Sequence, residues 1–268
     1  MRFHYLEIGE NSSRPVLFLH GFLGCAEDWK PIMSALSESF RCFALDLPGH
    51  DATQTDSDDE FEMPGCAQAV VEWLAAKDLA KCDLVGYSMG GRLALYLALN
   101  FPERFNRVIL ESASPGLRTK KERTERRKAD AILAGKITSQ SLTEFLNTWY
   151  NLPLFGDILS KPGVQELLTR RVRNCPTGLA KSLQKIGAGS QPDLWSQLKK
   201  CQNRMLLIAG EKDVKYRRIH QEMIAFLPNA KRCTISGASH NTHFEKPKEF
   251  TFQLKHFLQI GGKFHEFI

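Results

Sequence analysis

The feature that most restricts the fold is a serine between glycines, where an apolar segment meets a helix-forming segment. Residues 83–102 read DLVGYSMGGRLALYLALNFP, and Ser88 is the centre of a G-x-S-x-G pattern. The glycines permit close backbone packing around a strained strand-to-helix turn, which leaves the serine hydroxyl accessible at the end of the strand. The following helix offers the Met89 N–H and its positive dipole end to a developing anion. The pattern therefore predicts a reactive serine at the edge of a parallel sheet.

Short apolar segments alternate with helical patterns on both sides of this turn. Segments rich in β-branched or large apolar residues predict buried parallel strands. They lie at 15–19, 41–46, 82–86, 107–111, 204–210 and 230–236. Apolar residues at helical spacing predict helices. These lie at 26–39, 64–78, 88–101 and 246–259. The alternation predicts a doubly wound α/β fold, with a mostly parallel sheet flanked by helices.

The strand pattern is interrupted in the middle of the chain, where charged, amphipathic segments predict successive helices. They lie at about 119–134, 139–150, 163–173, 177–186 and 192–199. We therefore predict a helical cap, 115–200, inserted into one core made of 1–114 and 201–268. The cap holds 16 Lys or Arg against 7 Asp or Glu, a balance of +9, whereas the whole chain carries +6. This excess indicates an anionic ligand in the cap or, alternatively, a solvated basic helix face.

A serine hydroxyl is a weak nucleophile or base unless a neighbouring group takes its proton. In sheets with this turn, the acid and then the histidine follow the serine along the chain. The end of a late predicted strand provides Asp213 as the acid, with Glu211 as the alternative. The loop after the next strand provides His240, with His243 as the alternative. We predict a catalytic triad of Ser88, Asp213 and His240.

An oxyanion formed at this serine needs two N–H donors. A predicted strand runs into a glycine-rich loop in LFLHGFLG, residues 17–24. Such a loop commonly supplies one donor, so we predict an oxyanion hole formed by the backbone N–H groups of Phe22 and Met89. His20 is expected to hold the loop. The stretch HNTHFE, residues 240–245, lacks the helical spacing of a zinc protease motif, so no metal site is predicted.

Composition narrows the class of protein. The chain is 43% hydrophobic and 25% charged, as in ordinary globular proteins, and lacks an apolar run of about 18 residues. Its beginning lacks the apolar stretch of a signal peptide. The seven cysteines are scattered, without a C-x-x-C pair, which favours reduced thiols. We therefore predict a cytoplasmic protein without a cofactor, membrane insertion or nucleic-acid partner. A monomer is expected, although no sequence feature establishes the oligomeric state.

These motifs together resemble the α/β-hydrolase superfamily over nearly the whole chain, and several further stretches resemble one family within it. The stretches are VGYSMGGR (85–92), ESASPGL (111–117), KKERTERRKAD (120–130), NTWYNLPLF (147–155), RRVRNCPTGLAKSL (170–183) and GAGSQPDLW (187–195). Their order and spacing are similar to those of 2-succinyl-6-hydroxy-2,4-cyclohexadiene-1-carboxylate synthases, enzymes of menaquinone and phylloquinone biosynthesis. The resemblance extends from about residue 15 to residue 258.

The resemblance implies a lyase that eliminates pyruvate from a small substrate with three carboxylates. It also implies a set of substrate contacts, carried over by position. They are Tyr87, Arg92, Arg126, Trp149 and Arg171. The residue types fit, because a planar guanidinium can bind a carboxylate through two parallel hydrogen bonds. Two alternatives stay open: Arg170 or Arg173 in place of Arg171, and a purely structural role for Trp149 in the cap.

Three positions depart from the family pattern. Asp51 and Ser239 stand where the family commonly has glycine, and Phe244 stands where it has arginine. A serine tolerates positive φ poorly, so Ser239 is expected to alter the histidine loop. Lys215, close to the predicted acid, is expected to face solvent. An alternative function is a serine hydrolase that cleaves an ester or C–C bond in a small acidic substrate; a non-catalytic binding protein is a third possibility.

Overall fold

The computed structural model describes residues 1–11 and 13–259. Within these ranges seven strands form one sheet. They are β1 (Tyr5–Ile8), β2 (Arg14–Leu19), β3 (Phe40–Leu45), β4 (Cys82–Tyr87), β5 (Phe105–Glu111), β6 (Arg204–Gly210) and β7 (Ala230–Ile235). The spatial order is β1-β3-β2-β4-β5-β6-β7, and every neighbouring pair is parallel except β1 with β3. The predicted mostly parallel sheet is confirmed.

Ten α-helices accompany the strands in the described residues. They are α1 (Lys30–Leu36), α2 (Met63–Ala76), α3 (Met89–Asn100), α4 (Lys120–Ser139), α5 (Leu142–Tyr150), α6 (Val164–Val172), α7 (Pro176–Ile186), α8 (Val214–Ile224), α9 (Thr242–Glu245) and α10 (Pro247–Gln259). Buried side chains of α2, α3 and α8 form one apolar layer with the sheet, and those of α1 and α10 form a second. The sheet is therefore covered by helices on both faces, as buried parallel strands require.

Three elements differ from the sequence predictions. Strand β1 was not predicted, because it is a four-residue edge strand whose side chains are only partly buried. The helix predicted at 26–39 begins as a 3-10 turn, Ala26–Trp29, and the α-helix starts beside Pro31, a residue favoured in the first helical turn. The helix predicted at 192–199 is a 3-10 segment, Trp195–Lys200. The predicted core also included 260–268, which lies outside the described residues.

Helices α4 to α7 lie between β5 and β6 in the chain, and we call residues 115–200 the insertion. Capping boxes start α4, at Thr119, and α5, at Ser141. The helices share an apolar cluster of their own, which also includes Leu23 from the loop after β2. The two ends of the insertion meet where the Leu194 N–H donates to the Pro115 carbonyl at 2.8 Å. The division into a core and a cap domain stays a prediction.

The cysteines and the helices agree with the sequence analysis. All seven cysteines are free thiols, and all but Cys175 and Cys233 are buried. Burial raises the pKa of Cys42 to about 12, so this thiol stays protonated near neutral pH. Within residues 1–11 and 13–259, every helix is too short or too polar to cross a bilayer.

Burial of His220 makes folding stability depend on pH. Its ring in α8 is buried, and Nε2–H donates to the Ala113 carbonyl at 3.1 Å. Burial lowers the pKa of His220 from 6.5 to about 4, so between these values the unfolded chain binds a proton that the folded chain does not. Stability is therefore lost as the pH falls through this window.

We expect His220 alone to cost about 2 kcal/mol of unfolding free energy between pH 7 and pH 5. Urea unfolding of the wild type and of His220→Gln at both pH values measures this contribution, since glutamine keeps a donor for Ala113 but does not titrate. The same pH dependence in both proteins would contradict the assignment.

Candidate active site

Ser88 lies on the sharp turn between β4 and α3. Its φ is 50° and its ψ is −105°, a conformation that side-chain-bearing residues adopt only where the surroundings enforce it. The Ser88 N–H donates to the Glu111 carbonyl at 2.8 Å. A Cβ at Gly86 would lie 2.4 Å from the Gly90 carbonyl oxygen, and one at Gly90 would lie 2.3 Å from that of Leu19. Glycine is therefore required at both positions to hold Ser88 at the end of the strand.

The structure brings the three predicted triad residues together. Nε2 of His240 lies 3.1 Å from Oγ of Ser88, and Nδ1 of His240 lies 2.7 Å from Oδ2 of Asp213. The other Asp213 oxygen accepts the Tyr216 N–H at 3.2 Å, at the start of α8. His240 and Asp213 are both buried. Because the carboxylate accepts Nδ1–H, it directs the unprotonated Nε2 at the serine, which allows His240 to accept the serine proton.

The two alternative residues occupy other positions. Glu211 is exposed and accepts hydrogen bonds from the Gly237 N–H and the Ser236 hydroxyl, which lower the pKa of its carboxyl group. Nδ1 of His243 lies 2.7 Å from Oε2 of Glu111, a buried carboxylate on β5. Neither side chain takes part in the contacts between Ser88, His240 and Asp213.

The different positions of Asp213 and Glu211 predict unequal effects on kcat for two similar substitutions. Asp213→Asn should lower kcat by about 10²- to 10⁴-fold, because the amide no longer holds His240 in the reactive tautomer. Glu211→Gln should leave kcat within about threefold, since its carboxylate only caps an exposed turn. Steady-state kinetics of both variants provides the check, and a larger loss in Glu211→Gln would reverse the assignment of the acid.

The predicted oxyanion donors border the serine. Phe22 and Met89 line the same cavity as Ser88, and within the described ranges neither backbone N–H has an acceptor. The two segments are joined, because the Gly90 N–H donates to the His20 carbonyl at 3.0 Å. The His20 ring holds the loop, since its Nε2 accepts the Leu47 N–H at 2.8 Å. The arrangement leaves two free donors beside the serine; their role stays a prediction.

A cavity lies above Ser88 and His240, between the sheet edge and the insertion. All five predicted substrate contacts line it. They are Tyr87, Arg92, Arg126, Trp149 and Arg171. The ring of Trp149 lies 5.5 Å from that of Phe22 and stacks 5.8 Å from that of Phe145, between their centroids. Trp149 therefore packs in the insertion and also borders the cavity.

Several cavity residues escaped the sequence analysis. The ring centroid of Tyr216 lies 4.8 Å from that of His240, and the Phe155 ring lies 5.9 Å from it. Tyr216 follows the acid by three residues, a spacing that places it on the first turn of the helix beside the triad and could have identified it. Lys215 was expected to face solvent, but although it is exposed it also lines the cavity.

The three cavity arginines differ in their partners. Arg171 donates two hydrogen bonds to Asp28, with Nη1 3.0 Å from Oδ1 and Nη2 2.6 Å from Oδ2. Nε of Arg126 lies 2.7 Å from Oδ1 of Asp130, and the Arg126 side chain is 38% exposed. Arg92 is buried and has no carboxylate oxygen within 4.0 Å among the described residues. Burial lowers the pKa of Arg92 to about 10, so it is still charged at neutral pH.

Of the adjacent arginines in and just after α6, Arg171 is the one that lines the cavity. Nε of Arg170 donates to Oδ1 of Asp28 at 2.9 Å. Arg173 is bound at the surface by Glu27, at 2.7 Å, and by Asp51, at 3.1 Å. This placement favours Arg171 over its two neighbours as a substrate contact.

The departures from the family pattern have local explanations. Ser239 is not among the described residues with positive φ, so the serine causes no strain of this kind, and its effect on the histidine loop stays a prediction. Asp51 does have a positive φ of 39°, and its N–H donates to the Asn174 side chain at 2.9 Å, which joins the loop after β3 to the insertion. Phe244 packs against the apolar cluster of the insertion.

One group of three side chains has potential ligand atoms close enough together to bind a metal ion. The ligand atoms of Cys25, Asp46 and Asp51 lie within 4.8 Å of one another. Asp46 already accepts the Ala26 N–H at 2.7 Å and lies 2.6 Å from Nδ1 of His4. Burial raises the pKa of the Cys25 thiol to about 12, so it is a poor ligand. These donors are engaged in holding the loop, and we assign no metal to them.

Comparison with known proteins places this site in a family. A model of the alpha/beta hydrolase fold matches residues 14–247. The 2-succinyl-6-hydroxy-2,4-cyclohexadiene-1-carboxylate (SHCHC) synthase of Photorhabdus laumondii is 32% identical over 266 residues, which are 97% of this chain and 90% of that protein. This chain belongs to the SHCHC synthase family of α/β hydrolases. The family predicted from the motifs of the insertion is thereby confirmed.

Two further relatives agree with membership of the SHCHC synthase family. The solved structure of MenH from S. aureus has a TM-score of 0.91 and 32% identity, covering 96% of this chain and 98% of that one. Protein PHYLLO, a chloroplastic protein of Arabidopsis thaliana, is 34% identical over 269 residues. That match covers 94% of this chain but 16% of the plant protein, so the chain corresponds to one part of a much longer polypeptide.

Proposed function

We propose that this member of the SHCHC synthase family is a carbon–oxygen lyase of menaquinone or phylloquinone biosynthesis. It eliminates pyruvate from 2-succinyl-5-enolpyruvyl-6-hydroxy-3-cyclohexene-1-carboxylate. The observation that supports this best is a triad geometry of Ser88, His240 and Asp213 beneath a cavity that contains three arginines. A substrate with three carboxylates matches such a cavity, whereas a general esterase has no need for it.

The reaction begins with removal of a proton from the carbon next to the succinyl ketone. Ser88 is the base, because its hydroxyl lies at the cavity floor and its own proton passes to Nε2 of His240, 3.1 Å away. The Asp213 carboxylate, 2.7 Å from Nδ1, stabilises the imidazolium that forms. A general base placed in this way contributes about 10²- to 10⁴-fold to the rate.

The charge released by this step moves onto the ketone oxygen. The N–H groups of Phe22 and Met89 bind that oxygen while it carries enolate charge; loss of one such donor costs about 10²- to 10³-fold in other enzymes. The electrons then pass through the ring and break the C–O bond to the enolpyruvyl group. The departing pyruvate enolate takes up the proton held by His240, so the step consumes no water.

The remaining cavity residues orient the substrate. Arg92, Arg126 and Arg171 bind carboxylates, which places the reacting carbon against Ser88. Burial, reinforced by Glu111, raises the pKa of Tyr87 well above 10, so its hydroxyl remains a neutral hydrogen-bond donor. The Trp149 ring lines one side of the cavity, where it can contact the six-membered ring of the substrate.

Release of pyruvate is the direct test of this function. The substrate is generated in situ by the preceding enzyme of the pathway, and pyruvate is followed with and without the protein because the substrate also decays unaided. Release well above the protein-free rate supports the lyase. If folded protein gives no acceleration but hydrolyses small carboxylated esters, the alternative serine hydrolase replaces it.

The location and assembly of the protein are also proposals. We propose that it acts in the cytoplasm as a monomer on a small molecule, without nucleic acid. The seven free cysteines in the described residues support a reducing compartment. The positive charge is concentrated in the insertion, and two of its arginines, Arg126 and Arg171, line the cavity, which favours a small anion over an extended polyanion.

A further inference from the structure

Gln191 is a buried polar side chain that touches one of the cavity arginines. It is 1% exposed and lies after α7, near the end of the insertion. Its Oε1 accepts from Nη1 of Arg92 at 3.2 Å, and its Nε2 donates to the Ser114 carbonyl at 3.1 Å. The two hydrogen bonds determine the orientation of the amide, because a guanidinium only donates and a carbonyl only accepts.

The backbone around Gln191 holds this side chain in place. The Gln191 N–H donates to the Gly187 carbonyl at 3.0 Å. Gly116, at φ 101°, lies so close that an added Cβ would be 2.7 Å from the Pro192 carbonyl and 3.4 Å from Nε2 of Gln191. These backbone contacts thus hold Gln191 in place between the two ends of the insertion.

Arg92 depends on neutral acceptors. Besides Gln191, its Nη1 donates to the Ile186 carbonyl at 2.8 Å. The other cavity arginines each have a carboxylate, Asp28 or Asp130, at hydrogen-bond distance. Arg92 is 8% exposed and begins one turn after Ser88, where the Arg92 N–H donates to the Ser88 carbonyl at 3.0 Å. A buried cation without a counterion is costly, so this site favours an incoming anion.

The carboxamide of Gln191 suits this position because it both accepts and donates a hydrogen bond without carrying a charge. It accepts from the guanidinium and donates to the Ser114 carbonyl, yet adds no charge. A glutamate of the same shape would place a carboxylate oxygen against that carbonyl and would neutralise Arg92. A leucine would leave both partners without their hydrogen bonds.

We propose that Gln191 is a positioning residue that orients Arg92 towards the cavity and leaves its charge available for one carboxylate of the substrate. This rests on the proposed lyase function. Gln191 acts through Arg92 and not on the reacting atoms, so it governs substrate binding more than the chemical step.

The test compares pyruvate-release kinetics of the wild type, Gln191→Glu, Gln191→Leu and Gln165→Glu. Gln165 is exposed on α6, so its substitution adds the same charge to the insertion without touching the cavity. In Gln191→Glu we expect KM to rise about 10- to 100-fold with kcat within about threefold. In Gln191→Leu, which leaves Arg92 charged, KM should rise about 2- to 10-fold. Gln165→Glu should match the wild type.

Thermal unfolding separates positioning from a structural role. In Gln191→Glu the counterion gained by the buried guanidinium offsets the lost hydrogen bond to the Ser114 carbonyl, so the Tm should stay close to that of the wild type. A folded Gln191→Glu with unchanged KM, a loss confined to kcat, or equal KM increases in Gln191→Glu and Gln191→Leu would overturn the proposal. If Gln191→Glu does not fold, Gln191→Leu decides: a raised KM supports the proposal and an unchanged KM overturns it.

A second readout does not need catalysis. Citrate, a small tricarboxylate, should raise the Tm of the wild type and of Gln165→Glu by a similar amount and that of Gln191→Glu by much less. If the wild type released no pyruvate, the proposed lyase would fail while this comparison still tested Gln191. If pyruvate were released but citrate stabilised Gln191→Glu and the wild type equally, the inference about Gln191 would fail alone.

Discussion

Replacing Ser88 by alanine is expected to lower kcat for pyruvate release by about 10³- to 10⁴-fold. The substitution removes the proposed base, the oxygen that lies 3.1 Å from Nε2 of His240, and alanine supplies no proton acceptor at that position. KM should change little, because the arginines that bind the carboxylates are unaffected. Pyruvate release under single-turnover and steady-state conditions gives both quantities.

The matched control for this prediction is Ser196→Ala, an exposed serine at the end of the insertion. It should retain wild-type kinetics. The Tm of Ser88→Ala should stay close to that of the wild type, since the Ser88 hydroxyl makes no other hydrogen bond among the described residues. Substantial turnover by a folded Ser88→Ala would show that another group removes the proton.

Replacing Asp28 by asparagine is expected to lower the unfolding free energy by about 3 kcal/mol or more. The Asp28 side chain is 6% exposed and holds Arg171, of the insertion, through Nη1 and Nη2, and Arg170 through Nε. Asparagine keeps the shape but removes the charge and one acceptor oxygen, so the buried Arg171 loses its counterion and keeps the Tyr150 hydroxyl oxygen, 3.0 Å from Nε, as a neutral partner. Urea unfolding at neutral pH measures the loss.

Asp157→Asn is the control, because it also removes an aspartate from an ion pair. Asp157 is 49% exposed and pairs with Lys161 at 2.8 Å, so its loss should lower the unfolding free energy far less than the loss of Asp28 does. Equal losses in Asp28→Asn and Asp157→Asn would mean that the bridge from Asp28 to the insertion adds no particular stability.

The ion pairs of Asp28 with Arg171 and Arg170 also predict that folding stability depends on pH. Burial alone would raise the pKa of Asp28, but the Arg171 and Arg170 guanidiniums hold it well below its usual range. The stabilisation is therefore present above the unfolded-state value of 3.8 and is lost as the pH falls below it. Asp28→Asn should lack this part of the acid sensitivity of the wild type.

Much of the site could be predicted without coordinates, because its determinants are local. Glycine is required at 86 by backbone contacts within the turn and at 90 by the backbone at the end of β2, and the serine, acid and histidine each follow the end of a strand. Carboxyl ends of parallel strands meet at one edge of a sheet, so residues 125 and 27 positions apart could be expected to converge. Strand β1 escaped prediction because a short, half-buried edge strand has too weak a pattern.

The sequence by itself determined the α/β class, the order of the triad, the family and the concentration of positive charge in the insertion. Only the tertiary structure decided which arginine is neutralised and which is left for a ligand. Asp28 meets Arg171 across 143 residues, and Gln191 meets Arg92 across 99. The packing of the insertion on the sheet selects these partners, because pairing energies depend on distance and burial in the folded molecule. No local pattern in the chain records that packing.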